Sequence, residues 1–212
     1  QQPRRAMSNA TLLGRERIGE QKSAPPRLER VHVQLAVSRL GPQVSRLQAY
    51  HTSVLADGME YAFCGRGITR GAGTPSHEAR VDASDTTLID MGMHDVDLQD
   101  FFDSMTPHFR SGTYDLLLKN CNSFTDVALF YLTGRRLDRA YRSAEQLARV
   151  ADRCASVVQR LSDGAYRQNP RALDFDVAAI IQELAPRKAG CSLGLPFAAG
   201  GDFWSRLLGA AA

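Results

Sequence analysis

The sequence predicts an α+β domain in which a small, mainly antiparallel sheet packs against one central helix, with further helices after it. Three stretches carry this reading. Thr113–Gly134 joins a short apolar run, Leu116 to Leu118, to a helical pattern in which Phe124, Val127, Ala128 and Tyr131 share one face. Tyr50–Cys64 consists of two alternating segments around Asp57-Gly58, a strong hairpin signal. Val31–Val37 alternates apolar with small or polar residues and supplies another half-buried strand.

The helix after Asn120 is expected to be central, because Leu129, Phe130 and Leu132 make its other sides apolar too. Thr133-Gly134 stops it, glycine being the preferred residue just past a helix end. Asn120-Cys121-Asn122-Ser123 supplies helix-start chemistry. Cys121 therefore falls where the unpaired amides and the positive dipole end of a helix converge. The thiolate is the nucleophilic form of cysteine, and a helix N-terminus lowers the thiol pKa from its free value of ~8.5. The same amides can hold an oxyanion when a carbonyl is attacked. A cysteine at a helix start more often simply packs, so a general base elsewhere in the chain has to decide between the two roles.

Taken in order, residues 1–30 are polar and arginine-rich, show no secretory h-region and end in Ser23-Ala-Pro-Pro26, which predicts a flexible arm. His32 is expected at a surface or edge, and Gly41-Pro42 punctuates a loop. His51 stands near the start of its strand, at a sheet end. Cys64 reads as a packed side chain. Gly65–Ser76 is glycine-rich but lacks GxxxxGK[ST], so it predicts a flexible loop beside a cleft rather than a phosphate cradle; His77 falls in that mobile segment. Thr87–Gly92 reads as a strand. Asp95 is expected to cap a helix running to about Met105, with Val96, Phe101, Phe102 and Met105 inward, His94 and His108 flanking it and Pro107 ending it. Past Arg139, Ala144 to Leu161 is amphipathic, with Cys154 among its apolar positions. Leu173 to Leu184 offers another helix before Pro186, and Trp204 in the tail is expected to dock on the core.

Length and composition bound the function. A chain of 212 residues suits one substantial domain plus appendages. Charged residues are 23% of it and the net charge is +3, which gives no reason to invoke nucleic acid or an anionic membrane. No apolar run approaches the ~18 residues of a membrane span. Four cysteines without a CxxC pair fit reduced thiols in a cytosolic or nuclear protein. Nothing has paired metal-ligand spacing, so neither metal nor other cofactor is expected.

His51-Thr52-Ser53, Glu60-Tyr61-Ala62-Phe63 with Gly65 and Gly67-Ile68, Tyr114 to Phe124 around Cys121, and Leu132-Thr-Gly-Arg-Arg-Leu137 together resemble the PPPDE (DeSI-type) family of permuted papain-fold cysteine peptidases. The resemblance covers roughly Val31 to Asp138. It implies a peptidase core over 31–139, between the arm at 1–30 and a helical extension and tail at 140–212. In that family the histidine precedes the cysteine, the reverse of papain, and His51 and Cys121 match the two positions as a catalytic dyad. Asn120 and Asn122 are candidates for the oxyanion donor and Tyr50 and Tyr114 for cleft walls, although helix capping and core packing are the commoner fates of such residues.

The resemblance implies removal of ubiquitin or a ubiquitin-like modifier such as SUMO by isopeptide cleavage. Protein S-acyl thioester hydrolysis by the same dyad is the alternative, and a deep apolar tunnel near Cys121 would favour it. A non-catalytic adaptor working through the extension is a third reading, against which the intact His51 and Cys121 speak. The expected partners are ubiquitin or ubiquitin-like conjugates, and the extension leaves a homodimer open.

Overall fold

The computed structural model describes residues 27–44, 47–78, 86–142 and 166–191. Five strands form one sheet: β1 (Glu29–Val44), β2 (Leu47–Ala56), β3 (Met59–Cys64), β4 (Gly67–Ala72) and β5 (Thr87–Val96). Their order is β4-β3-β2-β1-β5 and every neighbouring pair is antiparallel. The expected hairpin is there, with Asp57 (φ 48°) and Gly58 (φ 75°) both left-handed, the geometry that makes Asp-Gly a tight turn between twisted strands.

Alternation along β1 buries Val31, Val33, Leu35 and Val37 on one face, where Val33 pairs with Ala56 and Leu35 with Val54. That face packs against α2 (Leu98–Met105) and α3 (Cys121–Thr133) through Phe101, Met105, Phe124, Val127 and Leu132, all buried. α3 is buried along nearly its whole length and ends at Gly134 with φ 78°, as its apolar sides and glycine stop predict.

Several boundaries differ from expectation. β1 runs on through Gly41-Pro42 to Val44, its register against β2 shifting between Leu40 and Val44, so an irregularity in the ladder replaces the expected loop. The glycine-rich stretch is ordered: β4 pairs with β3 over six rungs, and α1 (Pro75–Glu78) follows. Its glycines serve geometry rather than mobility. Gly67, at φ 93°, lies so close to Ser111 N that a Cβ would sit 3.1 Å from it. The cap of α2 is Asp97, which accepts from the N–H groups of Gln99 and Asp100, while Asp95 still pairs with Arg30 in the sheet. Leu116 to Leu118 is not a strand but a tight turn closed by the Asp115–Lys119 bridge; the Asp115 carboxylate accepts from Leu117 N and Leu118 N, and Leu116 is exposed.

Short 3₁₀ turns at Arg139–Arg142 and Pro170–Ala172 precede α4 (Val177–Cys191). α4 starts later than expected because Asp176 accepts from Ala178 N, and it continues past Pro186 instead of stopping there. Ile180, Ile181 and Leu184 join the same core as the sheet, and Asn169 N and Tyr166 Oη donate to Asp115. Residues 1–26 of the expected arm, the helix from Ala144 to Leu161 with Cys154, and Trp204 lie outside the described residues; Glu29 and Arg30, expected in the arm, begin β1 and pair with Val96 and Asp95.

Candidate active site

α3 begins with a double-ended asparagine. Asn120 Oδ1 accepts from Ser123 N at 2.9 Å, its carbonyl accepts from Phe124 N, and its Nδ2 donates to Leu116 O at 2.8 Å. The side chain thus caps the helix and ties it to the Asp115–Lys119 turn. Cys121 is the first helical residue and is 5% exposed. Its Sγ lies 3.8 Å from Asn122 Oδ1.

Asn122 fastens this helix end to β2. Its Oδ1 accepts from Thr52 Oγ1 at 2.7 Å, and its Nδ2 donates to Tyr50 O at 3.0 Å and to Tyr141 O at 3.2 Å. Tyr50 and Thr52 are the two neighbours of His51. The residue after Cys121 therefore grips the chain on both sides of His51, across a sequence separation of about seventy residues. Both carboxamide protons of Asn122 go to backbone carbonyls, which makes it a staple and leaves it poorly suited to hold an oxyanion.

His51 is the fifth residue of β2 and pairs with Ser38, so it lies within the strand and not at the sheet end that the sequence suggested. What ends there is the neighbouring ladder: β2 and β3 pair only from Val54↔Tyr61 to Ala56↔Met59. Alternation turns His51 and Ser53 to the side of β2 opposite Tyr50 and Thr52. His51 is 2% exposed, and its Nε2 is 2.8 Å from Ser76 Oγ.

On that side is a buried polar group that the sequence reading missed. Glu60 Oε1 accepts from Ser53 Oγ and from Ser76 Oγ, each at 2.6 Å, and Oε2 accepts from Ser76 N at 2.8 Å. His77, expected in a mobile loop, is fully buried; its ring nitrogens are 2.7 Å from Ser38 Oγ and 2.9 Å from Ser53 Oγ. Thr74-Pro75-Ser76 held the signal. Proline suits the first turn of a helix, and here His77 N and Glu78 N both bond to Thr74 O. Glu60 was also conspicuous as a carboxylate in an otherwise apolar strand.

The two tyrosines part company. Tyr50 meets Tyr141 edge-to-face at 5.1 Å, and both line a cavity of about 510 Å³ together with Arg39, Thr86 and Thr87. Tyr114, half-buried, packs on Phe63 with ring centroids 5.5 Å apart, against the edge of the core. Asp126, one turn along α3 and fully buried, binds Arg136 through both oxygens and also Arg142. The Asp126 carboxylate holds the Arg136 guanidinium pKa above its ordinary value. Lys119 has its ammonium over the rings of Phe175, Phe109 and Phe63, and burial first, then the Arg110 charge, push its pKa down. Among the described residues no three His, Cys, Asp or Glu side chains are grouped to hold a metal ion, and no helix is long and apolar enough to cross a membrane.

Fold and site together define a mixed α/β protein that brings a cysteine at a helix start and a strand histidine into one neighbourhood. Residues 24–162 match the family described as "PPPDE putative peptidase domain". That is most of the chain, and the protein belongs to this family. A search of curated proteins returned no match.

Proposed function

We propose that the protein is a cysteine-type isopeptidase that removes ubiquitin or a ubiquitin-like modifier such as SUMO from proteins in the cytosol or nucleus. The observation that carries this reading is the Asn122 staple, which fastens the Cys121 end of α3 to the two residues flanking His51. With its Nε2 engaged by Ser76, His51 offers Nδ1 to the thiol. The Cys121 proton passes to Nδ1 and Sγ attacks the carbonyl carbon. The Cys121 backbone N–H, at the positive end of α3, stabilises the oxyanion. As the C–N bond breaks, His51 returns the proton to the leaving amine. Water, deprotonated by His51, then hydrolyses the thioester and restores the thiol.

An S-acyl thioester would be attacked in the same way. The cavity beside Tyr50, lined by Arg39, Thr86 and Thr87 as well as apolar side chains, suits an extended peptide better than an acyl chain. Ubiquitin and SUMO bearing a C-terminal electrophile test the proposal. The expected result is a covalent adduct at Cys121 with one of them, absent in Cys121→Ala. Labelling by neither, with turnover of an acyl-thioester substrate, transfers the reading to a thioesterase; inertness to all three ends it.

A further inference from the structure

The polar group behind His51 has a definite proton order. An ionised carboxylate only accepts, so the hydroxyl protons of Ser53 and Ser76 both go to Glu60 Oε1. Each serine then meets its histidine with a lone pair. Ser76 Oγ accepts from His51 Nε2–H at 2.8 Å, and Ser53 Oγ accepts from His77 Nε2–H at 2.9 Å. Neutral His51 therefore keeps its lone pair on Nδ1, the tautomer that a base for a thiol requires.

We propose that Ser76 and Glu60 are positioning residues for His51, a hydroxyl-relayed carboxylate in the place where other thiol hydrolases set a side chain directly on the base. The inference rests on the Cys121/His51 reading above. When His51 takes up a proton, its Nε2–H donates into Ser76, whose own proton is held by a carboxylate fixed in β3. The relay favours the imidazolium without touching it. Glu60 is 2% exposed, and its three donors make its burial tolerable. His77, with its ring centroid 4.5 Å from that of His51, is the other titratable group beside it. Ser38, itself bonded to Thr86, lies 2.7 Å from His77 Nδ1, and Glu60 Oε1 lies 3.5 Å from His77 Nε2, so the same carboxylate faces both rings.

The test follows iodoacetamide alkylation of Cys121 across pH in the full chain, read by peptide mapping. This reports thiolate formation without requiring a substrate. Wild type is expected to show reactivity on the acid side of the ordinary thiol range, lost in His51→Ala. Ser76→Ala and Glu60→Gln should each move that acid limb up by about one pH unit, a roughly tenfold loss of rate on the limb. Ser76→Thr, which keeps the hydroxyl, should restore it. Thermal melts identify a misfolded variant, and each of the two substitutions tests the relay without the other. A His51-dependent limb that neither substitution moves overturns the relay and leaves the dyad standing. A wild-type profile that His51→Ala does not change overturns both.

Discussion

The two halves of β2 are built by different physics. Val54, Leu55 and Ala56 are buried apolar residues paired with β3 on one side and β1 on the other. Tyr50 to Ser53 keep their pairing with β1 but lie past the end of the β3 ladder, and in place of β3 they bond to Asn122, Ser76, Glu60 and His77. Burial of apolar surface is strong but non-directional. Hydrogen bonds are individually modest yet fix an atom's direction. The strand takes stability from one half and orientation from the other, and the candidate base sits in the oriented half.

The sharpest break removes the reacting groups. Cys121→Ala or His51→Ala should lower turnover of the reactive modifier's substrate form at least about 10³-fold, about 4 kcal/mol of barrier, with an unchanged melt. Near-normal turnover in either would dissolve the distinction between the halves. Next comes Asn122→Ala, which leaves two backbone carbonyls and the Thr52 hydroxyl without this partner; chemical denaturation should report a loss of about 3 kcal/mol. The Cys121 alkylation profile should also lose its acid limb. Val54→Ala is the mirror experiment. It should cost about 2 kcal/mol of stability yet leave that limb in place, and a shift of the limb would mean that packing, too, sets the chemistry.

The smallest effect lies away from β2 and calibrates the rest. Asp97→Ala removes the α2 cap and should cost about 1 kcal/mol near neutral pH. The Asp100 amide, chiefly, holds the Asp97 carboxyl below its ordinary pKa. Its contribution is therefore present above the unfolded value and lost as pH falls through the lower folded one. Wild type and variant should converge in acid, and a gap that persists there would assign the effect to something other than the ionised cap.

Much of this was legible in the sequence, for local reasons. Asn120 and Gly134 mark the ends of α3, and Asp57-Gly58 marks the hairpin, because cap and turn chemistry act within a few residues. Cys121 and His51 stood out as candidates through the motifs around them. The order of Gly65 to His77 was not. Its glycines look like mobility until Ser111 is seen against Gly67, and His77 looks loose until Ser38 and Ser53, both far away in the chain, are found around it. Asp95 and Asp97 are equally good caps on paper. The β5–β1 pairing, a non-local event, chooses between them.

The Asn120 cap also bears on how the protein ages. Spontaneous conversion of Asn122 to aspartate would require the Ser123 amide nitrogen to close on the Asn122 side chain, and that nitrogen is held at 2.9 Å by Asn120 Oδ1. An aspartate there would face the carbonyls of Tyr50 and Tyr141 with lone pairs in place of protons and push α3 from β2. Mass spectrometry of stored protein should find slow deamidation at position 122 in wild type and faster deamidation in Asn120→Ala; equal rates would show that the helix itself is the shield. The residue that starts the helix would then also set the shelf life of its neighbour.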